Sequence, residues 1–351
     1  SIRSDSLKNP SQALDCGNPG TSIRLLSGLL AGQGIQAHLS GDKSLMNRPM
    51  DRIVGPLRTM GADISFSSKG IYLNQSKIKG QVIENKTSSA QVKSSIILAA
   101  LGGEGKTVLR ESYSSRDHTE RMLRFHSSSC IENSQNIEIF PETINAKNFD
   151  IPGDISKASF LIALACLSPA SNLIIEDVAI NPQRMGFVKS LQKMGADISI
   201  LNPKNRHNEP VGDIQIQYSG ELKNIRISAT DVGDMIDEIP ILAVVGALSL
   251  GIMQIEGLSE LRIKESDRVL AIVSNLKKMG CDVREVDENI LIKGRKYLYN
   301  TRIKTFFDHR IAMAFYIASF FSKGKMVLDD IGCIKVSFPD FFDKIKEISR
   351  A

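Results

Sequence analysis

The sequence predicts an α/β (α+β) fold of two domains, 1–151 and 152–351, in which repeated units pack apolar helices under β-sheets. Three observations carry that expectation. A unit of helix, glycine and strand occurs three times, as LRTMGADI at 57–64, LQKMGADI at 191–198 and LKKMGCDV at 276–283, and such repetition marks a chain assembled from copies of one supersecondary element. Five apolar, small-residue-rich segments begin at Thr21, Gln91, Lys157, Asp237 and Asp308. A polar stretch at 133–154, NSQNIEIFPETINAKNFDIPGD, has turn formers and no helical period, and it separates the second of these segments from the third.

In the short unit, apolar residues at helical spacing lead into Gly61, Gly195 or Gly280, which reads as a helix closed by a glycine cap. The alternating residues that follow, such as ADISF, read as a strand. The long segments, of which TSIRLLSGLLAGQGIQAHL and AQVKSSIILAALGGEGKTVL are the first two, are apolar nearly all round. A surface helix shows one apolar stripe, so these helices belong at the centre of each domain. The longest apolar run, 239–255, is broken by Pro240, Gly246, Ser249, Gly251 and Gln254 and falls short of a membrane span. It reads as a buried helix running into a strand. Two long segments precede residue 152 and three follow it, so a symmetric architecture leaves the first domain short of one repeat.

With 42% hydrophobic and 24% charged residues, the composition excludes disordered, collagenous and fibrous chains. A net charge of +5 is too small for a dedicated nucleic-acid binder, though it leaves room for a local anion site. Cys16, Cys130, Cys166, Cys281 and Cys333 are odd in number and form no CxxC pair, so they read as buried thiols of a reducing compartment, with no metal site. The opening residues, SIRSDSLKNPSQ, contain neither an export signal nor an Arg-rich transit stretch, and a cytoplasmic protein is expected.

Charged and hydroxyl groups gather where the apolar helices begin. GNPGTSIR at 17–24 puts Gly20, Thr21 and Ser22 at a helix start, where free N–H groups and the helix dipole favour an anion. NRPMDR places Arg48 and Arg52 around Pro49, a residue suited to the first helical position. TSSAQVKS at 87–94 offers hydroxyls and an amide, and SRDHTER brings Arg116 and His118 into a turn with Asp117 as a candidate cap. RIKESDR at 262–268 concentrates Lys264, Glu265 and Arg268 soon after Asp237 and Glu238, and DHR at 308–310 repeats the pairing of acid and arginine. Capping and surface salt bridges account for any one of these. Four of five such helix starts carry them, which points to one shared cleft.

Taken in order, GNPGTSIRLLSGLLAG, NRPMDRIVGPLRTMGA, SSAQVKSSIILAAL, SRDHTERML, IPGDISKASFLIALA, DEIPILAV, ELRIKESDR, DHRIAMA and SFPDFF resemble the 3-phosphoshikimate 1-carboxyvinyltransferase (EPSP synthase) family over about residues 15–345. The resemblance implies the two-lobed enolpyruvyl transferase fold, with parallel helices wrapped by sheets. It implies transfer of the enolpyruvyl group of phosphoenolpyruvate to the 5-hydroxyl of shikimate 3-phosphate, with no cofactor, by a monomer that binds neither nucleic acid nor membrane. Carried over by motif, Gly20, Arg48, Gln91, Arg268 and Arg310 are expected to hold phosphoenolpyruvate. Ser89, Ala90, Gln91, Arg116, Asp237 and Lys264 are expected to hold shikimate 3-phosphate. Asp237 and Glu265 fit the catalytic base and acid.

The family also carries a segment of the kind GDKSxxHR near its N-terminus, and this chain starts after it. A truncated first lobe and impaired turnover are therefore expected. Gly41, Asp42 and Lys43 fall in the loop before Arg48 and do not replace that segment, Pro19 stands where a small residue is usual, and Val336 takes the place of a late lysine, with Lys335 beside it. UDP-N-acetylglucosamine 1-carboxyvinyltransferase is the alternative of the same fold; it uses a cysteine five residues before the arginine matching Arg48, where this chain has Lys43. A remnant that only binds is the alternative from another class.

Overall fold

Four of the five apolar segments form helices in the connection between two parallel strands, and the fifth follows a single parallel bridge. Parallel neighbours cannot be joined by a tight turn, so the connection must cross the sheet, and a helix is the usual way to do so. The computed structural model describes residues 7–348 other than 88, 113, 114, 128, 134, 135 and 146. Ser88, which falls in the TSSAQVKS motif, thus lies outside the described residues. The chain divides into two compact units between Phe149 and Asp150, two residues ahead of the expected boundary.

In the first unit, strands β1 (Leu14–Asp15), β2 (Ala37–Ser40), β3 (Ile64–Ser67) and β4 (Gly70–Leu73) form a sheet in the order β1-β2-β4-β3. Helix α1 (Gly20–Gly32) links the parallel pair β1 and β2. The one-turn helix α2 (Lys43–Met46) and then α3 (Asp51–Thr59) lead to the β3-β4 hairpin. The next stretch repeats the plan. Strands β5 (Val82–Asn85), β6 (Thr107–Glu111), β7 (Cys130–Asn133) and β8 (Asn136–Ile139) lie in the order β5-β6-β8-β7, with α4 (Ala90–Leu101) between the parallel pair and α5 (His118–His126) before the hairpin. The stretch at 133–154 therefore contains a strand, β8, within its polar sequence.

The second unit holds three more copies. Helix α6 (Ile155–Leu167), β9 (Asn172–Ala179), α7 (Gly186–Lys193), β10 (Asp197–Arg206) and β11 (Glu209–Gln217) form the first, its leading strand reduced to a parallel bridge between Gly153 and Val178. The β10-β11 hairpin turns at His207 and Asn208, both left-handed (φ 52° and 64°), as a tight hairpin turn requires. Strands β12 (Arg226–Ile227), β13 (Ile252–Ile255), β14 (Asp282–Val286) and β15 (Asn289–Lys293) repeat the order β12-β13-β15-β14 around α8 (Ala229–Gly233), α9 (Ile239–Ala247) and α10 (Arg268–Lys278). The last copy pairs β16 (Leu298–Tyr299) with β18 (Ser322–Lys323) and β17 (Arg302–Ile303) with β19 (Val327–Leu328) around α11 (His309–Ser319), and ends in α12 (Ile334–Ser337) and α13 (Phe341–Ile348).

Burial follows the expected division between all-round and one-sided helices. Every residue of α9 is buried, and α6 buries eleven of its residues, whereas α3, α7 and α10 bury one face. Gly61, Gly195 and Gly280 all take left-handed φ (100°, 101° and 79°), which a side chain would strain. The five thiols are free, but only Cys130, Cys166 and Cys281 are buried. Cys16 and Cys333 are half-exposed, contrary to expectation, because each sits in a loop beside a sheet or helix end. Among the described residues, no helix is long and apolar enough to cross a membrane.

Candidate active site

In the first unit, α1 and α4 run side by side in the same direction, as contacts from Thr21 to Gln91, Gly28 to Ser95 and Gly32 to Ala99 show. A Cβ on Gly28 would lie 2.0 Å from the Ser95 carbonyl oxygen, and one on Gly32 2.7 Å from that of Ala99. Only glycine permits this approach, which brings two helix N-termini, and two positive dipole ends, together.

Side chains join at that end. Arg24 Nη1 donates to Gln91 Oε1, Gln91 Nε2 donates to Thr21 Oγ1 at 2.7 Å, and Arg24 Nη2 reaches the Pro49 carbonyl at 3.4 Å. Arg48 Nη2 donates to Asn18 Oδ1 at 3.1 Å, and Asn18 Nδ2 to Asp42 Oδ2 at 2.8 Å. A Cβ on Gly20 would lie 3.2 Å from Arg48 Nη1 and 3.6 Å from Arg24 Nη1, so both guanidinium groups border the first residue of α1. The two arginines give this cluster an excess of positive charge, suited to an anion bound bidentately.

Ser89 is the N-cap of α4, yet its side chain makes no capping bond, and Ala90 opens the helix beside it. Arg116 lies half-buried two residues before α5. Below them, the buried Lys93 ammonium contacts Glu120 (2.7 Å), Glu111 (3.1 Å) and the Ser115 carbonyl (2.9 Å), tying α5 to α4. Burial raises the Glu120 carboxyl pKa, with the Lys93 charge opposing.

Three sequence expectations need correction here. Asp42 and Lys43 do not lie in a plain loop: Lys43 opens α2 and Asp42 caps it, accepting from Leu45 N at 2.8 Å. Helix α3 begins at Asp51, so Pro49 precedes its first turn. Asp117 is the N-cap of α5 by position, but its side chain pairs with Arg121 at 2.8 Å instead of capping.

The second unit brings together the starts of α6, α9, α10 and α11. Asp308 caps α11 through Arg310 N (2.9 Å) and accepts from Arg268 Nε at 2.8 Å. Arg268 is completely buried and distributes its other donors to Glu265 Oε2 (2.5 Å), Asp237 Oδ1 (3.4 Å) and Asp308 Oδ1 (3.4 Å). Burial opposes its charge, but the Asp308, Glu265 and Asp237 carboxylates raise its pKa above the ordinary arginine value. The same pairing holds Asp308 below the usual carboxylate range in spite of burial. Arg310 Nη1 donates to the Asp237 carbonyl at 3.2 Å. Burial, then the Arg310 charge, lower the pKa of His309, leaving a neutral imidazole at pH 7.

Asp237 and Glu265 thus share one arginine, from opposite directions in the chain. Arg268, expected to meet phosphoenolpyruvate, is the buried hub of this network. Lys264 and Glu265 lie in the connection from a 3-10 turn (Ser259–Ile263) to α10, which starts at Arg268. Glu265 pairs with Arg268 at 2.5 Å, and Arg262 with Asp267 at 2.9 Å. Lys264 sits half-buried in the same connection.

Arg24, Arg184 and Ser156 have no distinctive local pattern in the sequence, yet each is tied into a cluster. Arg184, buried just ahead of α7, donates through Nη2 to Ser156 Oγ and, at 3.4 Å, to Glu238 Oε1. Ser156 Oγ in turn donates to Glu238 Oε1, so α6 and α9 are linked at their first turns. Local composition hid these residues; their position within the repeat did not.

The family model described as EPSP synthase (3-phosphoshikimate 1-carboxyvinyltransferase) matches residues 2–345. The chain belongs to the EPSP synthase family. It is 42% identical to the 3-phosphoshikimate 1-carboxyvinyltransferase of Thermodesulfovibrio yellowstonii over 98% of this chain and 82% of that protein. Against the enzyme of the same description from Aquifex aeolicus the identity is 41%, over 97% of this chain and 81% of the other. A solved structure of EPSP synthase from Acinetobacter baumannii superimposes with a TM-score of 0.85 at 36% identity, covering 97% of this chain and 80% of that one. EPSP synthase family membership accounts for the mixed α/β architecture, and it disfavours the UDP-N-acetylglucosamine alternative.

Proposed function

We propose that the two clusters described above carry the EPSP synthase reaction, in which the enolpyruvyl group of phosphoenolpyruvate passes to the 5-hydroxyl of shikimate 3-phosphate and phosphate is released. One observation supports the division of labour: the residues matching the family's motifs gather at helix N-termini in both units, cation-rich in the first and carboxylate-rich in the second. Gly20, Arg48, Gln91, Arg268 and Arg310 hold phosphoenolpyruvate. Ser89, Ala90, Gln91, Arg116 and Lys264 hold shikimate 3-phosphate, together with Asp237. The protein acts as a monomer in the cytoplasm.

The chemistry needs two proton-transfer groups. Asp237 takes the proton of the 5-hydroxyl as its oxygen bonds to C2 of phosphoenolpyruvate, and Glu265 protonates the methylene carbon C3. When the C2–O bond to phosphate breaks, the departing phosphate takes up the proton held by Asp237, Glu265 takes a proton back from C3, and the enol double bond reforms. Arg268 touches both carboxylates and keeps them in fixed relation, so charge redistributes within an already oriented set of dipoles. Phosphate release from phosphoenolpyruvate in the presence of shikimate 3-phosphate, with the enolpyruvyl ether identified by mass, is the direct test. Release with UDP-N-acetylglucosamine and none with shikimate 3-phosphate would overturn it.

A further inference from the structure

We propose that Arg184 is a positioning residue for the reaction, acting through Asp237; this rests on the reading of Asp237 as the base. Arg184 Nη1 lies 3.7 Å from Asp237 Oδ2 and, among the described residues, finds no hydrogen-bond acceptor. Arg268 Nη1 approaches the other oxygen, Oδ1, at 3.4 Å. The carboxylate of Asp237 is thereby bracketed by two buried guanidinium groups, one to each oxygen, so its orientation is governed from both sides.

The rest of the Arg184 side chain is immobilised. Nη2 is engaged with Ser156 and Glu238, and the residue ends a 3-10 turn (Pro182–Arg184) whose cap, Asn181, accepts from Gln183 N at 3.0 Å. Asn181 is itself fixed to Glu209 at 2.9 Å. A cation beside the starts of α6 and α9 opposes both helix dipoles, and burial further disfavours it, so the Glu238 and Asp237 carboxylates must offset both effects. The fork is therefore held with one donor short of bonding distance from the base. Catalytic hydrogen bonds are commonly long before substrate binds and tighten in the complex.

The repeat supplies an independent observation. Arg48, Arg116 and Arg268 stand three, two and zero residues ahead of the first residue of α3, α5 and α10, the one-sided helix of their copies, and Arg184 stands two ahead of α7. The first three are site residues by the family's motifs. Arg184 is the corresponding arginine of the third copy.

Steady-state kinetics of Arg184→Lys and Arg184→Met in the enzyme test the assignment, with thermal unfolding recorded alongside. Misplacing a catalytic group by about 1 Å costs on the order of 10²-fold, so Arg184→Met should lose about that in kcat with KM for both substrates nearly unchanged. Arg184→Lys, which keeps the charge but not the fork, should recover part of the loss. In an Asp237→Asn background, Arg184→Met should lower kcat no further, since residues acting as a unit are non-additive. Should Arg184→Met strand Glu238 and fail to fold, Arg184→Met with Glu238→Gln carries the same measurement. A folded variant with unchanged kcat, a loss confined to KM, or a further loss beside Asp237→Asn would overturn the proposal. Full kcat in Asp237→Asn would overturn the base assignment and this inference with it, whereas a dead Asp237→Asn beside a fully active Arg184→Lys and Arg184→Met would overturn this inference alone.

Discussion

Arg268 Nε lies 2.8 Å from Asp308 Oδ2, and the two side chains are 1% and 0% exposed. The pair joins the first residue of α10 to the cap of α11 and, through the same guanidinium, holds Asp237 and Glu265. Removing one partner of a buried pair leaves the other charge uncompensated, which costs about 3–5 kcal/mol. Arg268→Met is therefore expected to lower the thermal midpoint sharply at pH 7, and Arg268→Met with Asp308→Asn to recover part of that loss.

Acid should act through the same contact. Asp308 has its carboxyl pKa depressed in the folded protein, so its stabilising contribution is present above the unfolded value of about 3.9 and is lost as pH falls through the folded one. Asp308→Asn should flatten the fall in unfolding free energy below about pH 4. Denaturant titrations between pH 7 and pH 3 measure this, and an unchanged acid slope would contradict it.

Asp237→Asn preserves shape and removes the proton acceptor. A positioned base contributes about 10²- to 10⁴-fold, so kcat should fall by at least the lower figure while binding of shikimate 3-phosphate, followed by calorimetry, changes little. A defect seen only in KM would make Asp237 a binding residue.

Gly28→Val tests the close approach of α1 and α4. A Cβ there would sit 2.0 Å from the Ser95 carbonyl oxygen, so the helices must separate, and overpacking of this kind costs about 1–3 kcal/mol. The Gln91–Thr21 bond at the helix starts should loosen too, so a lower thermal midpoint should come with weaker binding of phosphoenolpyruvate.

Lys93→Met leaves Glu120 and Glu111 facing each other beneath the start of α4. The variant should be destabilised by about 3–5 kcal/mol, and adding Glu120→Gln should restore much of it. Urea midpoints of the two variants decide the point; no recovery would mean that the lysine acts through packing alone.

Much of this was legible in the sequence because it depends on local pattern. The five apolar segments yield α1, α4, α6, α9 and α11 with starts within two residues of the expected ones, since all-round apolarity and a small-residue composition already specify a central helix. The glycines at 61, 195 and 280 likewise announce their left-handed conformation. Strand β8 was hidden because its short alternation, NIEI, is flanked by polar turn formers. Arg184 was hidden for a different reason: a single arginine after Asn-Pro has no distinctive neighbourhood, and its meaning appears only when the repeats are superimposed. The engagement of Arg268 by three carboxylates lies in tertiary contacts spanning up to 40 residues, beyond any local pattern.

Each of the four larger sheets draws its strands from one uninterrupted stretch of chain: 14–73, 82–139, 172–217 and 226–293. Among the described residues, no strand of one stretch is borrowed by another, so the loop that must close before any of these sheets can form stays short, and its closure entropy with it. Synthesis from the N-terminus can accordingly complete one sheet before the next has been made, and a nascent chain would carry few unpaired strand edges at any moment.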